Sequence, residues 1–187
     1  AGTLVLVELI LLIGCAIITQ HFSATMLLLL LAVSVLGFLC FNFPFPGRAN
    51  AQIFMGDAGS MLLGFALVWF LIELSQSIFR PITPVTMCWI MSVPLFDATA
   101  VMLYRLIKGQ SVVFSDRQHG HHLLLALNFS PLQINLLFGS ANFVLGLVGL
   151  CAFYYQFNES MMFIGFLMLF IIYFLTVNYC RKLLIKN

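Results

Sequence analysis

Long apolar runs, about six of them and separated by short polar breaks, constrain this chain more than any other feature. A bilayer core about 30 Å thick needs roughly 20 apolar residues for each helical crossing, and runs without polar alternation disfavour a membrane barrel. Hydrophobic residues make up 63% of the 187 residues and charged residues only 7%, so a water-soluble fold could not bury the apolar surface. We predict an all-α, polytopic membrane protein, a single transmembrane domain over 1–187, with spans at 3–19, 25–42, 59–75, 84–104, 133–155 and 160–180.

The positions of the eight Lys and Arg residues give the orientation of these spans. All but Arg80 lie in the loop after the second span, in the loop after the fourth span or in the C-terminal tail. Cytoplasmic segments of membrane proteins carry the excess of basic residues. We therefore predict cytoplasmic loops at 43–58 and 105–132 and a cytoplasmic C-terminus, with the motifs below facing cytosolic substrates.

Glu8 is the first acidic residue and lies inside the first predicted span. An acidic group within a span is rarely left facing lipid, and a functional use of Glu8 is one interpretation. Its place near the cytoplasmic end would also let the carboxylate reach the lipid headgroups. The sequence leaves both interpretations open.

The segment FMGDAGS (54–60) leads directly into the third span. In one interpretation Asp57 is a helix N-cap, and Gly56, Ser60 and Gly64 form a small-residue stripe for close helix packing. In the other, Asp57 is an oxygen ligand for a hard cation such as magnesium, and the glycines let a phosphate approach the backbone. The two roles are compatible.

The segment PLFD (94–97) places a carboxylate inside the fourth span. A charge there costs on the order of 2.5–3.5 kcal/mol on insertion scales unless it faces protein or water, so Asp97 must have a partner or a cavity. Arg105 follows in the same helical sector, about 12 Å further along the axis. The two residues predict a polar path into the cytoplasmic edge of the membrane.

Three of the four histidines stand within four positions in the segment DRQHGHH (116–122). If this segment is helical, His119 and His122 share a face. Imidazole suits phosphate contact, proton transfer or metal binding, although a zinc site is the weaker choice because no cysteine lies nearby. The plainer alternative is a basic juxtamembrane segment that holds anionic lipid.

In order and spacing, the segments 54–60, 94–97 and 116–122 resemble the polyprenyl-phosphate N-acetylhexosamine-1-phosphate transferases. The His-x-His-His motif after Asp-Arg is most similar to the bacterial branch that uses undecaprenyl phosphate and N-acetylglucosamine. This resemblance implies transfer of N-acetylglucosamine 1-phosphate from UDP-N-acetylglucosamine to undecaprenyl phosphate, with release of UMP. It also implies a multi-pass enzyme at the cytoplasmic face of the bacterial inner membrane, where it begins lipid-linked cell-surface polysaccharide synthesis.

By the same resemblance, magnesium is the required cofactor, with manganese as its substitute, and Asp57 is its ligand at the pyrophosphate. The catalytic pocket then also contains His119, His121 and His122. Phosphoryl transfer between two anions needs charge neutralisation and alignment, which a cation, arginines and histidines supply. The substrate-binding residues that the resemblance implies are Asp97, Arg105, Asp116 and Arg117.

The family also carries an aspartate pair and an Asn-rich segment ending in Asp-Gly before the region that matches here. None of the six acidic residues of this chain is adjacent to another, and the chain opens at Ala1 without the basic segment of a signal peptide. We therefore expect the C-terminal part of a longer transferase that is inactive by itself. A homodimer that supplies the missing motifs is a further expectation.

Two functions from other classes compete with the transferase. One is a non-catalytic membrane module that binds a nucleotide, a lipid phosphate or partner helices in the polar pocket. The other is a cation transporter that uses Asp97 and the histidines, because intramembrane acids often mark ion paths. The formal net charge of +2 is too small to suggest a nucleic-acid partner.

Overall fold

The computed structural model describes residues 2–43, 52–76, 81–111 and 119–186. Within these residues the chain forms helices and turns and no strand. The helices are α1 (Gly2–Ile18), α2 (Phe22–Asn42), α3 (Gly56–Ser75), α4 (Pro84–Ile90), α5 (Ser92–Ile107), α6 (Gly120–Ala126), α7 (Pro131–Tyr154) and α8 (Glu159–Lys186).

Large apolar side chains remain exposed along the four longest helices. Leu30 on α2, Phe65 on α3, Leu136 on α7 and Leu175 on α8 are 61–67% exposed. These helices are each long and apolar enough to cross a membrane, and α4 with α5 would make a fifth span. Exposed apolar faces of this extent suit lipid rather than water, and the prediction of an all-α, polytopic membrane protein is confirmed.

Helix length alone does not give the number of spans, because α1 has 17 residues. A straight crossing needs roughly 20, so α1 is a short apolar helix by that measure. The count of six spans and the cytoplasmic position of the C-terminus therefore stay predictions.

Helix α1 is nevertheless the centre of the packing. Leu9, Leu12, Cys15 and Ala16 have no exposed surface, because α1 packs against α2, α3 and α7. Apolar residues occur around most of this helix, as expected for a helix with neighbours on several sides.

Two glycines let α7 lie close to its neighbours. A Cβ atom on Gly146 would collide with the side chain of Leu11 on α1, and one on Gly149 would collide with Trp89 on α4. Small residues commonly allow such close approach between membrane helices, where dispersion contacts replace the hydrophobic effect. Sequence analysis did not identify this pair.

The single span predicted over 84–104 consists of two helices, α4 and α5, which meet at Met91 at an angle of 85°. Pro94 explains the break, because proline has no N–H for the carbonyl of Ile90 and its ring clashes with that carbonyl. Hydropathy alone does not detect this interruption.

Asn142 on α7 pairs the backbone groups that the break leaves free. Its side-chain N–H donates to the Ile90 carbonyl at 3.0 Å, and its side-chain oxygen accepts from the Val93 N–H at 3.1 Å. The Ser92 hydroxyl donates to the same oxygen at 3.4 Å. Asn142 is fully buried, as is required of a residue that replaces water at membrane depth.

The segment predicted as a loop over 105–132 is partly helical. Helix α5 continues to Ile107, so Arg105 is helical, and α6 occupies part of the remaining segment. Helix α7 starts at Pro131 with a capping box, in which the Ser130 hydroxyl accepts from the Gln133 N–H and the Gln133 side chain accepts from the Ser130 N–H. Local side-chain hydrogen bonds of this kind fix helix starts that hydropathy does not locate.

We expect Asn142→Leu to lower the free energy of unfolding by at least about 1–3 kcal/mol, the cost of a buried polar group left unpaired. Ser140→Ala on the same helix is the matched control, because the exposed Ser140 hydroxyl donates within its own helix to the Leu137 carbonyl. Denaturant unfolding in micelles, followed by circular dichroism, measures both. Equal stability of the two variants would contradict the role assigned to Asn142.

Candidate functional site

The Asp97 carboxylate holds three segments of the chain together. Its Oδ1 accepts hydrogen bonds from the Gly120 N–H at 2.7 Å and the Tyr173 hydroxyl at 2.9 Å. Its Oδ2 lies 2.9 Å from His119 Nδ1. The side chain is 15% exposed, and the expectation that Asp97 has partners is borne out.

Gly120 fits between these groups because it has no side chain. A Cβ atom there would lie 2.7 Å from the Tyr173 hydroxyl oxygen and 3.1 Å from Asp97 Oδ1. Sequence reasoning did not single out Gly120, although it stands inside the histidine motif. It also missed Tyr173, for which the one available signal is that a tyrosine in an apolar helix needs a partner for its hydroxyl.

The three histidines come together at the start of α6. His119 stands in extended conformation just before the helix, while His121 and His122 lie in its first turn. The ring centroids of His119 and His121 are 5.9 Å apart, and those of His121 and His122 are 4.1 Å apart. Ring contacts therefore join successive pairs along the cluster, with His121 in the middle.

The electrostatics of the cluster keep its central ring neutral. Burial lowers the pKa of His121, the neighbouring His122 and His119 lower it further, and Asp97 opposes them. Protonating one of several closely spaced imidazoles places like charges together, which disfavours the charged form.

Asp57 lies at the start of α3 but is not its N-cap. The N-cap position is Met55, which makes no side-chain cap, and the chain enters the helix through Gly56 with a φ of +66°. Asp57 is exposed in the first turn, where the helix dipole favours a carboxylate. Within the described residues that carboxylate has no hydrogen-bond or ion-pair partner, so the N-cap interpretation is wrong and the ligand interpretation stays a prediction.

The small-residue stripe of α3 faces a cavity rather than a packed helix. Nothing lies within 4 Å of a Cβ atom built on Gly64. Gly64 and Ser60 instead line a cavity of about 290 Å³ between α1, α3 and α5, whose polar lining also includes Glu8, Asp97 and His119. The cavity therefore lies between the start of α3 and the side chains of Asp97 and His119. The resemblance implied that these three parts of the chain belong to one site.

The remaining predicted site residues are Arg105, Asp116 and Arg117. Arg105 is buried in the last turn of α5, and its substrate contact stays a prediction. Asp116 and Arg117, like Arg48 and Arg80, lie outside the described residues. Among the residues that are described, no three His, Cys, Asp or Glu side chains converge to hold a metal ion.

We expect Gly120→Ala to destabilise the chain by about 1–3 kcal/mol, the usual cost of overpacking a filled site, because the new methyl group displaces Tyr173 and Asp97. Gly37→Ala in α2 is the control, since nothing lies within 4 Å of its Cβ position. Thermal unfolding in micelles compares the two. If Gly120→Ala is as stable as Gly37→Ala, the close contact described here is absent.

The lowered pKa of His121 gives a pH dependence of stability. The unfolded chain takes up a proton near the ordinary imidazole pKa of 6.5, whereas the folded chain resists it, so stability falls as the pH drops through this value. We expect His121→Gln to lose less thermal stability than wild type between about pH 7.5 and about pH 5.5, on either side of that pKa. His21→Gln, outside the cluster, is the control, and an unchanged pH dependence in His121→Gln would refute the assignment.

Comparison with known proteins finds one matching family model. Residues 1–75, which include Asp57, match glycosyl transferase family 4. No solved structure matches the chain.

Three curated relatives share the name undecaprenyl-phosphate alpha-N-acetylglucosaminyl 1-phosphate transferase. The Haemophilus influenzae protein is 36% identical over 153 residues, which are 82% of this chain and 43% of the relative. The Escherichia coli K12 protein is 40% identical over 150 residues, 80% of this chain and 40% of the relative. The Pasteurella multocida protein is 37% identical over 143 residues, 76% of this chain and 40% of the relative.

The chain thus spans about two fifths of the length of these relatives. The stretch matched to the Haemophilus influenzae protein is 153 residues long in a chain of 187 residues. Any stretch of that length includes residues 35–153, and this range contains every predicted site residue. The resemblance found in the three sequence segments is confirmed. The chain is therefore similar to these relatives over about four fifths of its length, and its first 75 residues match glycosyl transferase family 4.

Proposed function

We propose that the chain is part of an enzyme that transfers N-acetylglucosamine 1-phosphate from UDP-N-acetylglucosamine to undecaprenyl phosphate and releases UMP, at the cytoplasmic face of the bacterial inner membrane. The relatives, at 36–40% identity, are named for transfer of this group to this lipid. One observation carries the proposal: the matched region contains the hydrogen-bonded pair Asp97 and His119. The pair lies beside α3, and Asp57 is exposed in the first turn of that helix.

The reaction joins two anions. A phosphate oxygen of the lipid attacks the phosphorus next to the sugar, the bond from that phosphorus to the bridging oxygen breaks, and UMP leaves with the bridging oxygen. Little covalent chemistry is asked of the protein in such a transfer, which depends on alignment and neutralisation of charge.

His119 is the described side chain best oriented for this task. Asp97 holds its Nδ1, which leaves Nε2 to contact a phosphate oxygen, donating a hydrogen bond when the ring is protonated. Carboxylates that hold one imidazole nitrogen commonly orient the other towards its ligand. Asp97 is thus a positioning residue, itself fixed by Gly120 and Tyr173, and we assign it this role in place of direct substrate contact.

Asp57 is the described residue that would hold magnesium, or manganese in its place. Magnesium is usually bound by one or two carboxylates together with substrate phosphates, and the exposed carboxylate of Asp57, which has no partner among the described residues, fits this type of site. When bound, the cation supplies neutralisation of the diphosphate charge. His121, whose pKa is lowered, stands beside His119 with ring centroids 5.9 Å apart, and Arg105 adds fixed positive charge on α5.

The test is magnesium-dependent release of UMP from UDP-N-acetylglucosamine and undecaprenyl phosphate in lipid nanodiscs. It is run with the 187-residue chain and with the same chain fused behind the preceding part of the Haemophilus influenzae relative. We expect Asp57→Asn to lower the rate on the order of 100-fold or more, the scale on which loss of one electrostatic stabiliser acts. Glu159→Gln, an exposed acid at the start of α8, is the control and keeps the rate.

Two results would overturn the proposal. One is the absence of UMP release from both proteins while the intact relative is active in the same assay. The other is full activity of Asp57→Asn. Binding of UMP by the chain without turnover in the fusion would favour the non-catalytic module instead.

A further inference from the structure

Glu8 is a buried acid that the proposed function does not use. It lies within the apolar helix α1, is 1% exposed, and its Oε1 has no hydrogen-bond partner among the described residues. Buried polar atoms are nearly always paired, since an unpaired one loses its hydration without compensation. The position of Glu8 therefore needs a partner that does not belong to the described chain.

The partner has a place to bind, because Glu8 lines the cavity between α1, α3 and α5. This cavity has a volume of about 290 Å³, close to the lower end of small-molecule pockets, which is about 300 Å³. It therefore suits a fragment the size of one ring and is too small for a whole sugar nucleotide. Most of the remaining wall is apolar, with Ser60 and His119 as the other polar groups besides the two carboxylates.

Charge and hydrogen-bonding capacity select the kind of group that binds there. The oxygens of Asp97 already accept from Gly120, Tyr173 and His119, so Glu8 is the acceptor with free capacity. The lining contains no lysine or arginine, and its one imidazole, His119, already pairs with Asp97, so the charge of a buried phosphate would stay uncompensated there. The described residues also offer no three-residue metal site. A neutral group that donates hydrogen bonds, such as a hydroxyl or an amide N–H, can pair with Glu8 without bringing a charge into the cavity.

We propose that this cavity binds the sugar ring of the nucleotide substrate and that Glu8 accepts a hydrogen bond from one of its hydroxyl groups or from its acetamido N–H. The inference rests on the proposed function, because the cavity shares His119 and the start of α3 with the place assigned to the phosphates. It adds a residue that recognises the sugar rather than the nucleotide. The apolar walls then contact the ring C–H groups and the acetyl methyl.

The test is calorimetric binding of two probes, UDP-N-acetylglucosamine and UMP, in lipid nanodiscs, to the chain fused behind the preceding part of the Haemophilus influenzae relative. We expect Glu8→Leu to weaken binding of UDP-N-acetylglucosamine about tenfold or more, the scale of one hydrogen bond to a carboxylate, and to leave UMP binding within about twofold. Glu159→Gln is the control that changes neither probe. Thermal unfolding of each variant checks the fold, and if Glu8→Leu does not fold, the similarly sized Glu8→Gln replaces it with an expected loss of about threefold or more.

The outcomes separate the two proposals. If wild type binds both probes and the Glu8 variant binds both equally well, or loses both equally, this inference is overturned while the nucleotide site stands. If the wild-type fusion binds neither probe while the intact relative binds both, the proposed function is overturned together with the inference. Selective loss of the sugar nucleotide supports both.

Discussion

The hydrogen bonds of Asn142 at the break between α4 and α5 are the interaction on which the site depends. Inside a membrane no water is available to a free backbone group, so a helix can be interrupted only where protein groups take over. Pro94 frees the Ile90 carbonyl, and Asn142 binds it together with the Val93 N–H. The chain can then turn by 85°, and α5 takes the course that brings Asp97 to α6 and α8.

Asp97 in turn organises the polar end of the structure. A carboxylate in a medium of low dielectric gains more from each donor than it would in water, and it loses more when a donor is absent. Its three donors come from the segment before α6, from the first residue of α6 and from α8. One side chain thus fixes the orientation of His119 and joins the start of the short helix α6 to α5 and α8.

Some of this arrangement could be predicted from the sequence and some could not, for physical reasons. Apolar runs predict helices because lipid requires backbone hydrogen bonds within each segment, and the span predicted at 133–155 agrees with α7 to within two residues. Hydropathy averages over a window and does not register the break that Pro94 causes. The energetic cost of an acid inside a span predicted that Asp97 has partners. The identity of Tyr173, 76 residues away, depends on tertiary packing that no local pattern contains.

The long sequence separation between Asp97 and Tyr173 also bears on biosynthesis. A ribosome releases α5 before it has made Tyr173, which follows Asp97 by 76 positions. During translation the carboxylate must therefore stay hydrated at the translocon or the membrane edge until the last helix arrives. Insertion of α8 is in this sense a maturation step, and quality-control proteases have a window in which to distinguish an unfinished chain from a completed one.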